Sequence, residues 1–224
     1  IWMIICSFQK TASDIYAYPP KLPNFLNFNN FAFYLTQTNF LKQLGNTLLL
    51  VFSNMIIGIT ASTLVAYGFA RFKAKGKKVA FTLLLSTMML PWVVTMVPAY
   101  MIFAKLGMVG SFWPLILPSI GGSAYNIFLL QQFFMGIPKE LDEAAKIDGC
   151  NSFQILIHIL LPNCAPILAT MAIFSFIGTW SDYVAPSIYI LDPDHYTLAL
   201  GLQFLKTSNY IAPPWHQLLA GCVI

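Results

Sequence analysis

Charge is what this sequence has least of: Asp, Glu, Lys and Arg make up 9% of its 224 residues, where a soluble domain carries about 25%. A water-soluble surface cannot be made from so few. There is no GxxxxGK[ST] phosphate loop, so the chain cannot hydrolyse ATP by the usual P-loop route. The cysteines, Cys6, Cys150, Cys164 and Cys222, form no CxxC pair and share no metal-ligand spacing with histidine, which reads them as small apolar fillers and assigns no metal. His158, His195 and His216 stand far apart and join no nucleophile motif, so no catalytic residue is assigned. Basic and aromatic residues do not interleave as they do along a nucleic-acid groove, and no nucleic-acid partner is expected. No basic n-region or small-residue cleavage site marks a signal peptide. The chain opens inside an apolar stretch, Ile1 to Phe8, and closes on Gly221-Cys222-Val223-Ile224, which read as helices clipped at both ends.

Apolar residues take the place of charge, at 58% of the chain with a mean hydropathy of +0.69. A lipid core of roughly 30 Å takes about 20 apolar residues per helix, so the expected class is an all-α, polytopic helical membrane protein. Its runs are a partial helix at about 1–8, then 44–70, 79–104, 113–135 and 164–190, and the opening of a sixth at 215–224. Residues 9–43, with Lys10, Asp14, Pro19-Pro20, Lys21 and Pro23, and residues 191–213, with Asp192, Asp194, Lys206 and Pro213, are too polar for lipid and are expected as external loops. Arg71, Lys73, Lys75, Lys77 and Lys78 crowd between two runs and mark a cytoplasmic loop under the positive-inside rule. Pro91 and Pro98 inside the run 79–104 predict a kink. Pro118, Gly121, Gly122 and Ser123 interrupt the run 113–135. That softness has two readings: close helix packing through small residues, or a broken helix lining a path through the bilayer.

Residues 136–163 carry Lys139, Glu140, Asp142, Glu143, Lys146, Asp148 and His158 and by the count of crossings are cytoplasmic. Pro138 suits a helix start, the acids Glu140, Asp142 and Glu143 suit its positive end, and Asp142 and Lys146 sit at i,i+4. Gly149 falls where a left-handed C-cap would end that helix. Asn151 is a good N-cap for a second short helix running to Pro162. Two short helices thus form a corner.

The same residues carry a resemblance. Glu143-Ala144-Ala145, then Gly149, Ile159 and Leu161-Pro162 at their spacing match the EAA signature of ABC-importer permeases. Ala66-Tyr67-Gly68-Phe69-Ala70-Arg71-Phe72, Leu141 to Gly149, and Tyr196 to Leu202 look like the carbohydrate-importer subfamily similar to the second membrane subunit of the maltose transporter. The likeness implies the type I ABC-importer transmembrane fold, six helices in the full chain, and a bacterial or archaeal cell membrane. It implies that Glu143, Ala144, Ala145, Asp148, Gly149, Ile159, Leu161 and Pro162 form the loop that docks on an ATPase. The implied partners are a second permease subunit in a heterodimer, two ABC ATPase subunits that bind ATP and Mg, and an extracytoplasmic solute-binding protein facing the segment around Leu205 to Pro214. This chain itself is assigned no cofactor. The implied cargo is an oligosaccharide, monosaccharide or polyol phosphate. Sugar sites combine aromatic faces with amides and hydroxyls, which singles out Ser123, Tyr125 and Asn126 in the broken run and Trp180 with Asp182 in the next.

The main alternative is an ion-coupled secondary transporter or channel subunit, which needs carboxylates or histidines within its spans. The runs 44–70, 79–104 and 113–135 hold none, and the fourth holds only Asp182 toward its outer end.

Overall fold

The computed structural model describes residues 1–17, 23, 27–208 and 214–224. Pro19-Pro20 and Lys21 of the first expected external loop lie outside the described residues, as does 209–213, half of the stretch expected to face a binding protein.

Every regular element among the described residues is a helix. In chain order they are α1 (Trp2–Ser7), α2 (Ala12–Ile15), α3 (Asn29–Gln37), α4 (Phe40–Arg71), α5 (Lys77–Thr87), α6 (Trp92–Lys105), α7 (Trp113–Ile116) and α8 (Ala124–Gly136). Then follow α9 (Lys139–Ile147), α10 (Ser152–Ile155), α11 (Leu161–Asn163), α12 (Ala165–Ser181), α13 (Val184–Tyr189), α14 (Leu198–Ser208) and α15 (Trp215–Val223). With 32 residues, α4 is roughly 48 Å long at 1.5 Å per residue, more than a bilayer core requires. Trp113–Gly136 is the second described stretch long and apolar enough to cross, and the count rises to as many as four if each of two bent pairs is one span.

One bent pair is α5 with α6. Pro91 offers no N–H and drives Leu90 out of helical conformation, so α5 ends at Thr87 and α6 resumes after Pro91 at 99° to it. Where a kink was expected there is a corner, while Pro98 sits inside α6. The expected loops also need correction. Residues 9–43 contain α2 and α3, and residues 191–213 contain a 3₁₀ turn, Pro193–His195, and α14. Helices this short are marginal alone and persist through packing.

The chain divides into two compact units, Ile1–Leu49 with Trp180–Ile224, and Leu50–Thr179. In the first, buried Tyr34, Phe40 and Leu198 pack with Leu44, Trp180, Leu202 and Leu205. The start of α14 is capped twice: Thr197 Oγ1 accepts from the Leu200 N–H at 3.3 Å, and Thr47 Oγ1 from the Leu198 N–H at 2.9 Å. Those bonds satisfy donors that a helix opening leaves bare. Asn46 Nδ2 donates to the Asp194 and Tyr196 carbonyls at 3.0 and 3.1 Å. Lys42 Nζ lies 2.8 Å from Asp194 Oδ2, and its hydrogen bond and charge hold that carboxyl below the usual carboxylate range.

The second unit is built round Ala66 and Tyr67 of α4, Ile127, Leu130 and Phe134 of α8, Ala145 of α9, and a run of buried residues from Ile155 to Met171. Ile127, Leu130 and Phe134 fall at i, i+3 and i+7, one face of α8. Large side chains left exposed at the α5–α6 corner, such as Met89, Val94 and Val97, suit lipid tails that are as apolar as they are.

Candidate functional site

Two features of the second unit combine unusual chemistry with defined geometry. The first is the elbow at 138–163. Pro138 caps the start of α9, and Glu140 and Asp142 lie in its first turn. At the far end Gly149 takes φ +86°, which lets the Cys150 N–H reach Ala145 O at 2.9 Å and the Gly149 N–H reach Lys146 O at 3.1 Å. This is a Schellman closure. The chain restarts through a reciprocal capping box: the Gln154 N–H donates to Asn151 Oδ1 at 2.9 Å and the Asn151 N–H to Gln154 Oε1 at 2.8 Å. Beyond α10 the helix widens into a π turn, Leu156–Leu160, before α11. Pro162 lacks an N–H and its ring crowds the carbonyl four residues back, which a wider turn relieves. The helix from Ser152 to Asn163 then meets α12 at 81°.

The signature residues divide into two sets. Ala145 is buried, and Ile159 and Leu161 pack against the core of the unit. Glu143, Ala144, Asp148, Gly149 and Pro162 are exposed, flanked by Ile147, which is 87% exposed, and Phe153 at 61%. One set holds the elbow together and the other presents a surface.

What fastens the elbow to α4 is a pair that local sequence reading assigned otherwise. Arg71 is the last residue of α4, with a side chain only 7% exposed, and its Nε lies 2.8 Å from Asp142 Oδ2. The contact is one of charge rather than an aligned hydrogen bond, and Nη2 donates to the Ile137 carbonyl at 3.1 Å. Asp142 is therefore matched to Arg71 rather than to Lys146, because it shares the inward face of α9 with Ala145. One turn back, the Tyr67 hydroxyl donates to the Ser152 carbonyl at 2.9 Å, and its ring meets Phe134 edge-on.

The second feature is a cavity of about 380 Å³ whose polar lining is Asn54, Ser119, Ser123, Asn126, Ser175 and Thr179, with Gly58, Gly122 and Gly178 among the other lining residues. Among the described residues its lining includes no charged one. The run 113–136 opens there: α7 gives way to a 3₁₀ turn, Leu117–Gly121, and Gly122 at φ 70°, ψ 171° redirects the chain into α8. Ser119 Oγ donates to Asn54 Oδ1 at 2.6 Å, and the Ser123 N–H to Ser62 Oγ at 3.1 Å. A Cβ on Gly122 would lie 2.9 Å from Ser62 Oγ and 3.1 Å from its amide nitrogen. Gly122→Ala should therefore lower stability by about 2 kcal/mol or more, from a backbone region open essentially to glycine plus an overpacked contact. A thermal melt of the purified variant in detergent checks this.

Residues 39–224 match the family described as binding-protein-dependent transport system inner membrane component. The chain belongs to that family. Among similar proteins, the galactooligosaccharides transport system permease protein GanQ of Bacillus subtilis is 34% identical over 92% of this chain and 72% of GanQ. The arabinooligosaccharides transport system permease protein AraQ of Halalkalibacterium halodurans is 32% identical over 90% of this chain and 72% of AraQ. YurM of Bacillus subtilis, a probable ABC transporter permease protein, is 33% identical across 100% of this chain and 74% of its own length. The crystal structure of a bacterial ABC transporter involved in import of the acidic polysaccharide alginate shares the fold, with a TM-score of 0.86 at 19% identity over 100% of this chain and 82% of the matched chain. The chain is thus a multi-pass membrane permease and not itself an enzyme.

Of the residues singled out for a solute path, the permease brings Ser123 and Asn126 into one cavity, and Tyr125 is not part of its lining. Trp180 is half-buried and packs against the core of the first unit. Asp182 Oδ1 accepts from the Val184 and Ala185 N–H groups at 2.9 and 3.3 Å, capping α13, so the acid an ion-coupled alternative would have needed has a structural task. Asn54, Ser119, Ser175 and Thr179 escaped sequence reading. For all but Ser119 the signal was a stripe: Asn54, Gly58 and Ser62 recur every fourth residue on α4, and Ser175, Gly178 and Thr179 at i, i+3 and i+4 on α12.

Proposed function

We propose that this permease forms half of the translocation pathway of an ABC importer for a neutral carbohydrate, moved by a separate ATPase that docks on the elbow. What carries the reading is the cavity: amides and hydroxyls without charge, set where an apolar span is broken. Such a lining matches the hydroxyls of a sugar and offers no counter-charge to a phosphate or a uronate. That favours cargo like the neutral oligosaccharides in the names of GanQ and AraQ over a polyol phosphate. Within this reading Ser123, Asn126, Asn54 and Thr179 contact the solute.

The elbow faces the cytoplasm, on the side of the lysine-rich turn, and Glu143, Ala144 and Gly149 meet the ATPase there. ATP and Mg belong to that partner, and its closure would push the elbow and rock the membrane helices between inward- and outward-facing states. A companion permease completes the pathway, and a solute-binding protein delivers cargo at the opposite face.

Uptake into proteoliposomes tests the cavity. Neutral arabino- or galacto-oligosaccharides should be carried and an oligouronate of equal length should not. Asn126→Leu should cut uptake about tenfold to a hundredfold, the penalty of leaving a buried sugar hydroxyl unpaired. Equal transport of the uronate, or an unaffected Asn126→Leu variant, would sink the assignment.

A further inference from the structure

A second cavity, of about 310 Å³, opens between the end of α4 and the start of α5; its walls are Val65, Gly68, Phe69 and Ala80, and its rim carries Lys75 and Lys77. We propose that it holds an anionic phospholipid, with the phosphate of the headgroup on the two lysines and the upper acyl chains against the apolar walls.

Three observations point there. First, the cations have no acid to balance them: residues 15 to 139 contain neither Asp nor Glu. Among the described residues, Asp142 answers Arg71, and Lys73, Lys75, Lys77 and Lys78 have no carboxylate partner. Second, Lys77, one of the lining residues, has its ammonium tethered, because Nζ donates to the Phe72 carbonyl at 2.9 Å, and its other two N–H donors remain for a ligand. Third, the cavity is amphiphilic and sits at a membrane boundary, since α4 ends and the α5–α6 pair begins on either side of it and both are candidate spans. Exposed Leu64 adjoins Val65 on α4, and exposed Leu83 lies one turn past Ala80 on α5, both on the side away from the loop, and they extend the groove toward the bilayer interior. A free phosphate would use only the rim. A phospholipid uses both rim and walls, and anionic leaflets draw basic juxtamembrane segments toward them.

The test is lipid retention by the intact transporter, purified in detergent and titrated with phosphatidylglycerol or phosphatidylcholine under native mass spectrometry. Phosphatidylglycerol should bind in preference. Lys75→Gln with Lys77→Gln should weaken it roughly 30-fold, at about fivefold per lysine, and Lys75→Gln alone about fivefold. Lys73→Gln with Lys78→Gln removes the same charge outside the cavity lining and should weaken binding clearly less than the cavity pair does. Gly68→Leu fills the groove without touching charge, and a Cβ there meets nothing within 4 Å; it should also expel the lipid. Equal losses from both lysine pairs, retention by Gly68→Leu, indifference to headgroup, or displacement by equimolar inorganic phosphate would each overturn the proposal.

Discussion

Replacing Arg71 with methionine should cost the folded permease about 3–5 kcal/mol, the usual result of stranding one member of a buried ion pair. The side chains of Arg71 and Asp142 are 7% and 11% exposed, with 2.8 Å between Nε and Oδ2, so the orphaned carboxylate would find little water. The Ile137 carbonyl would lose its donor as well. Asp142 Oδ1 and Arg71 Nη1 already lack a hydrogen-bond partner among the described residues, which leaves the pair few other bonds to fall back on. The unfolding midpoint of the purified protein should drop accordingly. Arg71→Met combined with Asp142→Leu removes both charges and should restore most of the loss, because a well-packed apolar pair is often as stable as the ions it replaces. A double variant no more stable than the single would show that the ion pair is not what anchors the elbow.

Gly149→Val should uncouple ATP hydrolysis from uptake. At φ +86° a β-branched residue enters a region that costs about 1–2 kcal/mol even for simpler L-residues, and relief means opening the Schellman closure that aims α9. Because each 1.4 kcal/mol is a factor of ten, the population of correctly angled elbows should fall about tenfold. Gly149→Asn, whose side chain tolerates the left-handed region, should keep most of the transport. Uptake and ATP turnover measured side by side on the reconstituted complex distinguish the outcomes. Hydrolysis that continues while uptake collapses marks a bent elbow; equal uptake by the valine and asparagine variants would mean that the angle of the corner is immaterial.

What could be read in the chain depended on how local the cause was. The helix at 139–147 announced itself through Pro138, its acids and Gly149, and the restart through Asn151, because caps and corners are built from residues a few positions apart. The apolar runs were equally plain. Arg71 was misread because five cations within eight residues resemble a solvated turn, and only the approach of α9 reveals that one of them turns inward. The helices inside 9–43 and 191–213 were missed for a similar reason: α14 is capped by Thr47, 151 residues before Leu198. The cavity was half seen. Breaks at Pro118 and Gly122 drew attention to Ser123 and Asn126, whereas Asn54 and Thr179 lie in runs whose average apolarity hides a polar face.

The absence of charge around the cavity has a bearing on the membrane that surrounds it. Asn, Ser and Thr side chains neither take up nor release protons across the physiological range. In the pathway proposed above, such walls add no titratable side chain to a proton relay, so any proton leak through an open state would have to run along water alone.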